Sequence, residues 1–258
     1  KIMQLTSIYC LDIGNTTTLL GLYQGGHFVK VKTFLTQKFI KTPENLLGIS
    51  KDNNFPISYC SVVPKAEESL LEFVAKKKIT AYNLNSKTKG SFPVNYPNPT
   101  EIGQDRIANS LAAYHIADLP CIVIDVGTAT TFDIVSKDGG YEGGVITPGA
   151  QGFLDFLNQN TALLPRVSID LPTPPSLIGR ETKIAMVLGA KIGYTSMVKG
   201  ILNCMESEIE ETFHKKPTII VTGGGNHNLK LDNALQYPHL TILGLAKAYE
   251  LNGTDTLR

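Results

Sequence analysis

The residues best suited to chemistry in this 258-residue chain fall in three short segments. Asp12-Ile13-Gly14-Asn15-Thr16-Thr17-Thr18-Leu19 recurs in altered form as Asp125-Val126-Gly127-Thr128-Ala129-Thr130-Thr131-Phe132, with Asp, Gly and a Thr-Thr pair in register. Glycine lets such a turn bend sharply and approach a ligand without a Cβ in the way. Backbone N–H groups and threonine hydroxyls can then donate to phosphate oxygens. An aspartate beside phosphate requires a cation between them, which points to Mg²⁺ held largely through waters. Taken singly, each turn also reads as a hairpin whose Asp and Thr satisfy local backbone groups; two matched copies suggest two similar halves facing one nucleotide. The third segment, Gly103-Gln104-Asp105-Arg106, lies where a proline-rich loop enters a helix. A helix N-terminus attracts anions, and Gly103 permits close approach. Arg106 can fork onto a carboxylate, and Asp105 can accept the proton of a primary hydroxyl as that oxygen attacks a γ-phosphate. The alternative there is a surface ion pair with a helix cap.

The elements that position these segments are legible as two α/β halves. Ser7–Ile13, Thr18–Tyr23 and Phe28–Thr36 read as a meander of strands, with Gly25-Gly26 as a turn. Thr42-Pro43-Glu44 has the form of a helix start, with Thr42 as N-cap. Ile57–Val63 reads as a buried strand. Pro64 interrupts, and Ala66–Lys77 carries apolar residues at helical spacing. Ile79–Leu84 follows as a further strand. Residues 85–99 contain Pro93, Pro97 and Pro99, which exclude a regular helix or central strand, so an ordered loop or flap is expected. Gln104–Ala117 reads as a helix. A second meander begins at Cys121 and runs through Thr130–Ser136 and Gly143–Ile146. Leu163–Pro175 is expected to be extended, and about Thr182–Thr212 to be one long helix whose Gly189, Gly193 and Gly200 allow close packing. Thr218–Thr222 is a last strand, and Leu243–Leu251 a last helix.

Bulk properties narrow the function classes. Hydrophobic residues make up 42% and charged residues 18%, ordinary for a globular protein. With 24 basic and 23 acidic residues the formal charge is +1, so no global field favours nucleic acid or an anionic membrane. Lys76-Lys77-Lys78 reads as a solvated helix C-terminus. The four cysteines, Cys10, Cys60, Cys121 and Cys204, form no Cys-x-x-Cys pair, and three lie in apolar strand-like runs, which points to a reducing cytoplasm. No segment reads as a signal peptide or bilayer span. The five histidines lack metal-ligand spacing, so a zinc site is not expected.

The paired turns, with the late strand end Thr222-Gly223-Gly224, resemble the actin, hexokinase and heat-shock ATPase superfamily. There, the two turns grip phosphates from opposite domains and the late glycine turn sits by adenosine. The segment from Tyr96 through Gly103-Gln104-Asp105-Arg106 to Asn109, the two turns, and Gly143-Gly144-Val145-Ile146-Thr147-Pro148-Gly149 are together similar to type III pantothenate kinases. The four motifs stand in the family's order across most of the chain.

That resemblance implies an α/β protein of duplicated actin-like (ribonuclease H-like) domains, each a mixed sheet flanked by helices. The domains would be 1–117, with a substrate loop at 85–103, and 118–258, with the C-terminal helix packing back on the first. It implies ATP-dependent phosphorylation of the primary hydroxyl of pantothenate, the first step of coenzyme A biosynthesis, in a homodimer with no nucleic-acid or membrane partner. Asp105 would be the catalytic base. Asp12, Ile13, Gly14, Asn15, Thr16, Thr17, Thr18, Leu19 and Thr128 would contact ATP, with Asp12 facing Mg²⁺. Asp125 would hold a monovalent cation, K⁺ or NH₄⁺. Tyr96, Gly103, Gln104, Asp105, Arg106 and Thr182 would bind pantothenate. Two of these positions also have structural readings, Tyr96 as a packed loop aromatic and Thr182 as a helix N-cap. Gln104 stands where the family often has a small residue, and Thr222-Gly223-Gly224-Gly225-Asn226 departs from the more usual Thr-Gly-Gly-Asp. Asp133 and Glu142 receive no chemical role from either line of reasoning, and a structural role is expected for both. The rival functions are a kinase for another small hydroxylated acceptor and a non-catalytic regulator on the same fold.

Overall fold

The computed structural model describes residues 7–49, 55–225, 229 and 231–252. The chain divides into two compact units. The first comprises Lys1–Ala117, Asp133–Gly143 and His239–Arg258, and the second Asp118–Phe132 and Gly144–Pro238.

The first sheet is built around β1 (Ile8–Ile13), whose apolar residues are buried on both faces. It pairs antiparallel with β2 (Thr17–Gln24), which pairs with β3 (His27–Leu35), and parallel with β4 (Ile57–Ser61), which pairs with β5 (Ala81–Asn83). The order is therefore β3-β2-β1-β4-β5. The second sheet repeats this plan. The strands β6 (Cys121–Val126), β7 (Ala129–Ser136) and β8 (Gly140–Pro148) form the meander. β9 (Thr218–Thr222) and the short β10 (Leu235–Gln236) are the parallel additions, giving β8-β7-β6-β9-β10. The central strands even share one burial pattern, with only the aspartate half-buried among five buried residues.

Helices cover both faces of the first sheet. On one side, α1 (Thr36–Lys41), α2 (Pro43–Leu47) and α3 (Pro64–Lys77) bring Phe39, Leu47, Leu70 and Phe73 against Leu11 and Ile13. On the other, α4 (Gln104–Ile116) and the C-terminal α7 (Leu240–Asn252) bring Ile107, Leu111, Ile242 and Leu245 against Ile8 and Cys10. The second unit contains α5 (Ala150–Asn160) and the long α6 (Thr182–Phe213), which pack together through Leu154, Val187 and Ala190.

Several local expectations needed correction. Thr42 does not cap α2 with its side chain; its hydroxyl donates back to Lys38 O at 3.3 Å, closing α1 instead. Pro64 opens α3 rather than interrupting it, because a first-turn proline loses no helical hydrogen bond. Residues 36–41 and 150–160 form helices that the sequence reading passed over. Both follow directly on a strand, so the apolar spacing changes period within a few residues. The cap of α6 is Glu181, and Thr182 is its first helical residue. A Cβ at Gly189 or Gly200 would meet nothing within 4 Å among the described residues, so neither glycine serves close packing against them.

The contact that sets α4 in place is with α7. A Cβ on Gly244 would lie 1.9 Å from Ala108 O, so only glycine allows the two backbones this close. Thr241 Oγ1 donates to Asn109 Oδ1 at 2.9 Å, and Ser58 Oγ donates to Leu245 O at 2.9 Å, tying the pair to β4. Gly244→Ala is expected to push the helices apart and cost about 1–3 kcal/mol. Differential scanning calorimetry should show Tm falling by several degrees; an unchanged Tm would contradict this packing.

Candidate active site

Asp12 is the half-buried residue near the end of β1, and its turn is held from beneath. Gly14 N donates to Thr17 O at 3.0 Å. Thr36 Oγ1 donates to Gly14 O at 2.6 Å and lies 3.0 Å from Thr18 Oγ1. Since the Thr36 proton is committed to Gly14, Thr18 must be the donor in the Thr18–Thr36 bond. Thr18 is thus fully buried and braces the turn, while Asn15, Thr16 and Thr17 form its exposed rim. Thr36 is a site-shaping residue that sequence reading missed; its contact is long-range and leaves no signal in local spacing.

The second turn has a different length. Gly127 N donates to Ala129 O at 3.0 Å, one residue shorter than in the first copy. The Thr-Thr pairs therefore lie out of register in space. Thr130 takes the buried place of Thr18, with its hydroxyl 2.7 Å from Tyr194 OH. Thr128 is exposed at the tip, and its carbonyl accepts from Gly149 N at 3.0 Å. Gly223, with φ +91°, lies close under Asp125; a Cβ there would be 2.5 Å from Asp125 Oδ1 and 2.4 Å from Val126 O. Gly225 N donates to Val126 O at 2.9 Å, so the glycine turn is fixed directly against the Asp125 strand end. Beside it a cavity of about 430 Å³ is lined in part by Gly127, Gln151, Lys191, Gly224 and Gly225. Asn226 lies outside the described residues.

The first unit also holds the Gly103–Arg106 segment. Asp105 sits in the first turn of α4, and its Oδ1 accepts from Arg106 N at 2.8 Å. A Cβ on Gly103 would stand 2.5 Å from that same oxygen, so glycine is what leaves the carboxylate its space. Gln104 turns its amide back towards the sheet: Oε1 accepts from Ser61 N at 2.8 Å and from Asn83 Nδ2 at 3.0 Å. Ser61 ends β4, next to Asp12's strand in parallel register. Cys60 is paired with Asp12 in that register, and its buried thiol donates to Asp12 Oδ1 at 3.5 Å. Burial pushes the Cys60 thiol well up, and the charges of Asp12 and Asp105 push it further, so it remains a protonated donor.

Arg106 points into the same unit's interior. Its Nε donates to Asp133 Oδ1 at 2.8 Å, and Nη2 lies 2.6 Å from the same oxygen but off the hydrogen-bond direction. The guanidinium carbon is 5.6 Å from the Tyr141 ring centre, and the Tyr96 ring packs on Tyr141 at 5.9 Å. The proline-rich loop is stitched down here by Tyr141 N donating to Pro93 O at 3.1 Å and Asn95 N to Tyr141 O at 2.8 Å. Glu142, left without a role by the sequence, accepts from Asn95 Nδ2 at 2.7 Å and from Ser136 Oγ. The first unit thus gathers Asp12, Cys60, Asp105 and, beyond Arg106, Asp133, Tyr141 and Tyr96. The second carries Asp125, Thr128, the glycine turn and Thr182, which is exposed.

Burial raises the Asp105 pKa, and the Arg106 N–H and charge only partly oppose it. Its proton is therefore retained to higher pH in the folded than in the unfolded chain. The stability this contributes is complete below the usual carboxylate pKa and is lost as pH rises through the folded value. At neutral pH the ionised group is a stability cost. Asp105→Asn is expected to raise Tm at pH 7 and to leave it little changed near pH 3; a lower Tm at pH 7 would contradict this.

Among the described residues, no group of three or more His, Cys, Asp or Glu side chains could hold a metal, and no helix is long and apolar enough to cross a membrane. A single aspartate beside exposed hydroxyls fits a cation that keeps most of its waters, as Mg²⁺ does.

Comparison with known proteins agrees with this arrangement. Residues 8–204 match the family model described as type III pantothenate kinase. A type III pantothenate kinase from Sulfurihydrogenibium sp. (strain YO3AOP1) is 34% identical over 243 residues, covering 90% of this chain and 93% of the relative. One from Moorella thermoacetica is 33% identical, covering 95% and 99%. In fold, the chain is similar to a Campylobacter jejuni protein provisionally described as a Baf family transcriptional activator (TM-score 0.59, 23% identity, 95% and 99% covered). It also matches MreB5 of Spiroplasma citri bound to ADP (TM-score 0.50, 13% identity, 97% and 99% covered). With these motifs in order on two matched sheets, the chain belongs to the type III pantothenate kinase family.

Proposed function

We propose that this protein transfers the γ-phosphoryl group of ATP to the primary hydroxyl of pantothenate, giving 4'-phosphopantothenate for coenzyme A synthesis in the cytoplasm. The observation that carries the reading is Asp105: a carboxylate at a helix start, given room by Gly103, oriented by one backbone N–H and raised in basicity by burial. Such a group suits general-base work, for which the contribution is typically about 10²–10⁴-fold. In phosphoryl transfer most of the remainder is positioning and charge stabilisation.

In this reading Asp105 accepts the hydroxyl proton as that oxygen attacks phosphorus, and the γ-phosphorus–oxygen bond to ADP breaks. Arg106 and Tyr96 hold the acceptor's carboxylate end, Gly103 and Gln104 shape the approach, and Thr182 adds a hydroxyl contact. Gln104 would do so chiefly by fixing α4, since its amide is engaged with Ser61 and Asn83. Asp12, Ile13, Gly14, Asn15, Thr16, Thr17, Thr18, Leu19 and Thr128 are the proposed ATP contacts, with Thr18 acting through the turn's shape. Asp12 would hold Mg²⁺ through water, and Asp125 a K⁺ or NH₄⁺ ion; these cations supply neutralisation of phosphate charge. With ATP, Mg²⁺ and pantothenate, the purified protein is expected to release ADP and phosphopantothenate in equal amounts, faster with K⁺ than with Na⁺. Turnover should drop at least about 100-fold in Asp105→Asn. No product from pantothenate, or full activity in that variant, would defeat the reading.

A homodimer is part of the same proposal. On α5 and α6, an apolar hollow of about 420 Å³ lined by Phe153, Phe156, Leu157, Met186 and Gly189 opens outward, and Phe156 is 64% exposed. The open side of Gly189, which no described residue fills, would receive a second copy. Sedimentation should report a dimer, and a monomer for Phe156→Glu; a monomeric wild type would overturn this part.

A further inference from the structure

We infer that Asp133 is a positioning residue for acceptor recognition, acting through Arg106. It grips the guanidinium so that the end carrying Nη1 is presented to the acceptor's carboxylate. This rests on the proposed reaction, in which Arg106 meets that carboxylate. Asp133 is 0% exposed and the Arg106 side chain only 12%, so both charges have left water together. Asp133 Oδ1 meets the Nε and Nη2 side of the guanidinium. A guanidinium has five N–H donors in a rigid plane, so a carboxylate on its Nε/Nη2 side, where Nη2 is buried, leaves the Nη1 end for a second one. Tyr141 packs on the guanidinium face and Tyr96 on Tyr141, so the same contacts that fix Arg106 also fix Tyr96. Burial alone would lower the Arg106 pKa; the charge and hydrogen bond of Asp133, with Tyr141 and Asp105 adding to them, raise it and keep the cation.

The internal repeat supplies an independent argument. Counting from the buried threonines Thr18 and Thr130, Asp133 occupies in β7 the place that Gly21 occupies in β2. A Cβ at Gly21 would come within 2.7 Å of Phe28 and Ile242, so in that copy the position serves only tight apolar packing. The fold itself does not require a carboxylate there. Its presence in one copy, facing Arg106, belongs to a task the other copy lacks.

The test measures kcat and KM for pantothenate and for ATP in wild type, Asp133→Asn, Asp133→Ala, Arg106→Ala and the Asp133→Ala/Arg106→Ala double variant. Asp133→Ala is expected to raise the pantothenate KM about 10–100-fold, the size of one charge-assisted hydrogen bond, with the ATP KM within about twofold of wild type. Asp133→Asn should fall between, because its amide oxygen still accepts from Nε. In the Arg106→Ala background, removing Asp133 should change the pantothenate KM no further. A structural prop would instead lose activity equally in both backgrounds, and that result, or an unchanged KM in Asp133→Ala, overturns the inference. If Asp133→Ala does not fold, the same cycle is run with Asp133→Asn, where an unchanged KM or an equal loss in both backgrounds again overturns it. Absence of wild-type turnover, or a KM indifferent to Arg106→Ala, defeats the underlying reading of the acceptor site and the inference with it.

Discussion

The hydrogen bond from Ser61 N to Gln104 Oε1 joins two parts of the first unit that carry the acids. Ser61 ends the strand that runs parallel to Asp12's strand, and Gln104 opens the helix that carries Asp105 and Arg106. Gly103 gives that helix no side-chain cap, so its first turn must be located from outside. The Gln104 amide does so from the sheet side, and α7 along the helix body through Gly244. Asp105 is thereby held half-buried, where it keeps its basicity, at a cost in stability at neutral pH. For the base role proposed for it, a carboxyl that titrated like a surface group would be easier to accommodate and weaker.

The two sheets show what duplication preserved and what it released. Strand order, the burial pattern of the central strand and the buried threonine beneath each turn are common to both copies. The turns differ by one residue, and so does what supports them: Thr36 from α1 in the first, Tyr194 from α6 in the second. The first acid lies beside the Cys60 thiol, the second against the Gly223 turn. Equivalent aspartates thus stand in unlike surroundings, which suits the separate cation roles proposed for Asp12 and Asp125. Asp133, in place of Gly21, is the sharpest divergence, because it converts a packing position into a buried charge. Removing one partner of such a pair typically costs about 3–5 kcal/mol.

Much of this was legible in the sequence because it was local. The Asp-x-Gly turns follow apolar strands, the proline-rich loop ends at a helix start, and each has its signal within a few residues. The order of the four motifs pointed to the family. What the sequence withheld was long-range. Nothing near Thr36 indicates that its hydroxyl supports Gly14, and nothing near Asp133 names Arg106 as its partner. The one-residue difference between the turns was also hidden, since aligning the Thr-Thr pairs by type places Thr18 with Thr131, whereas burial places it with Thr130. The short helices α1 and α5 escaped for a related reason: each begins where a strand ends, and the two periodicities overlap.

A crystal structure of the protein with pantothenate and a non-hydrolysable ATP analogue would decide whether the α4 start is where the acceptor reacts. The expected result has the acceptor's primary hydroxyl within hydrogen-bond reach of an Asp105 carboxylate oxygen and its carboxylate on Arg106, with Asp133 still gripping the other side of the guanidinium. Pantothenate bound with that hydroxyl turned away from Asp105, or bound elsewhere on the molecule, would contradict it.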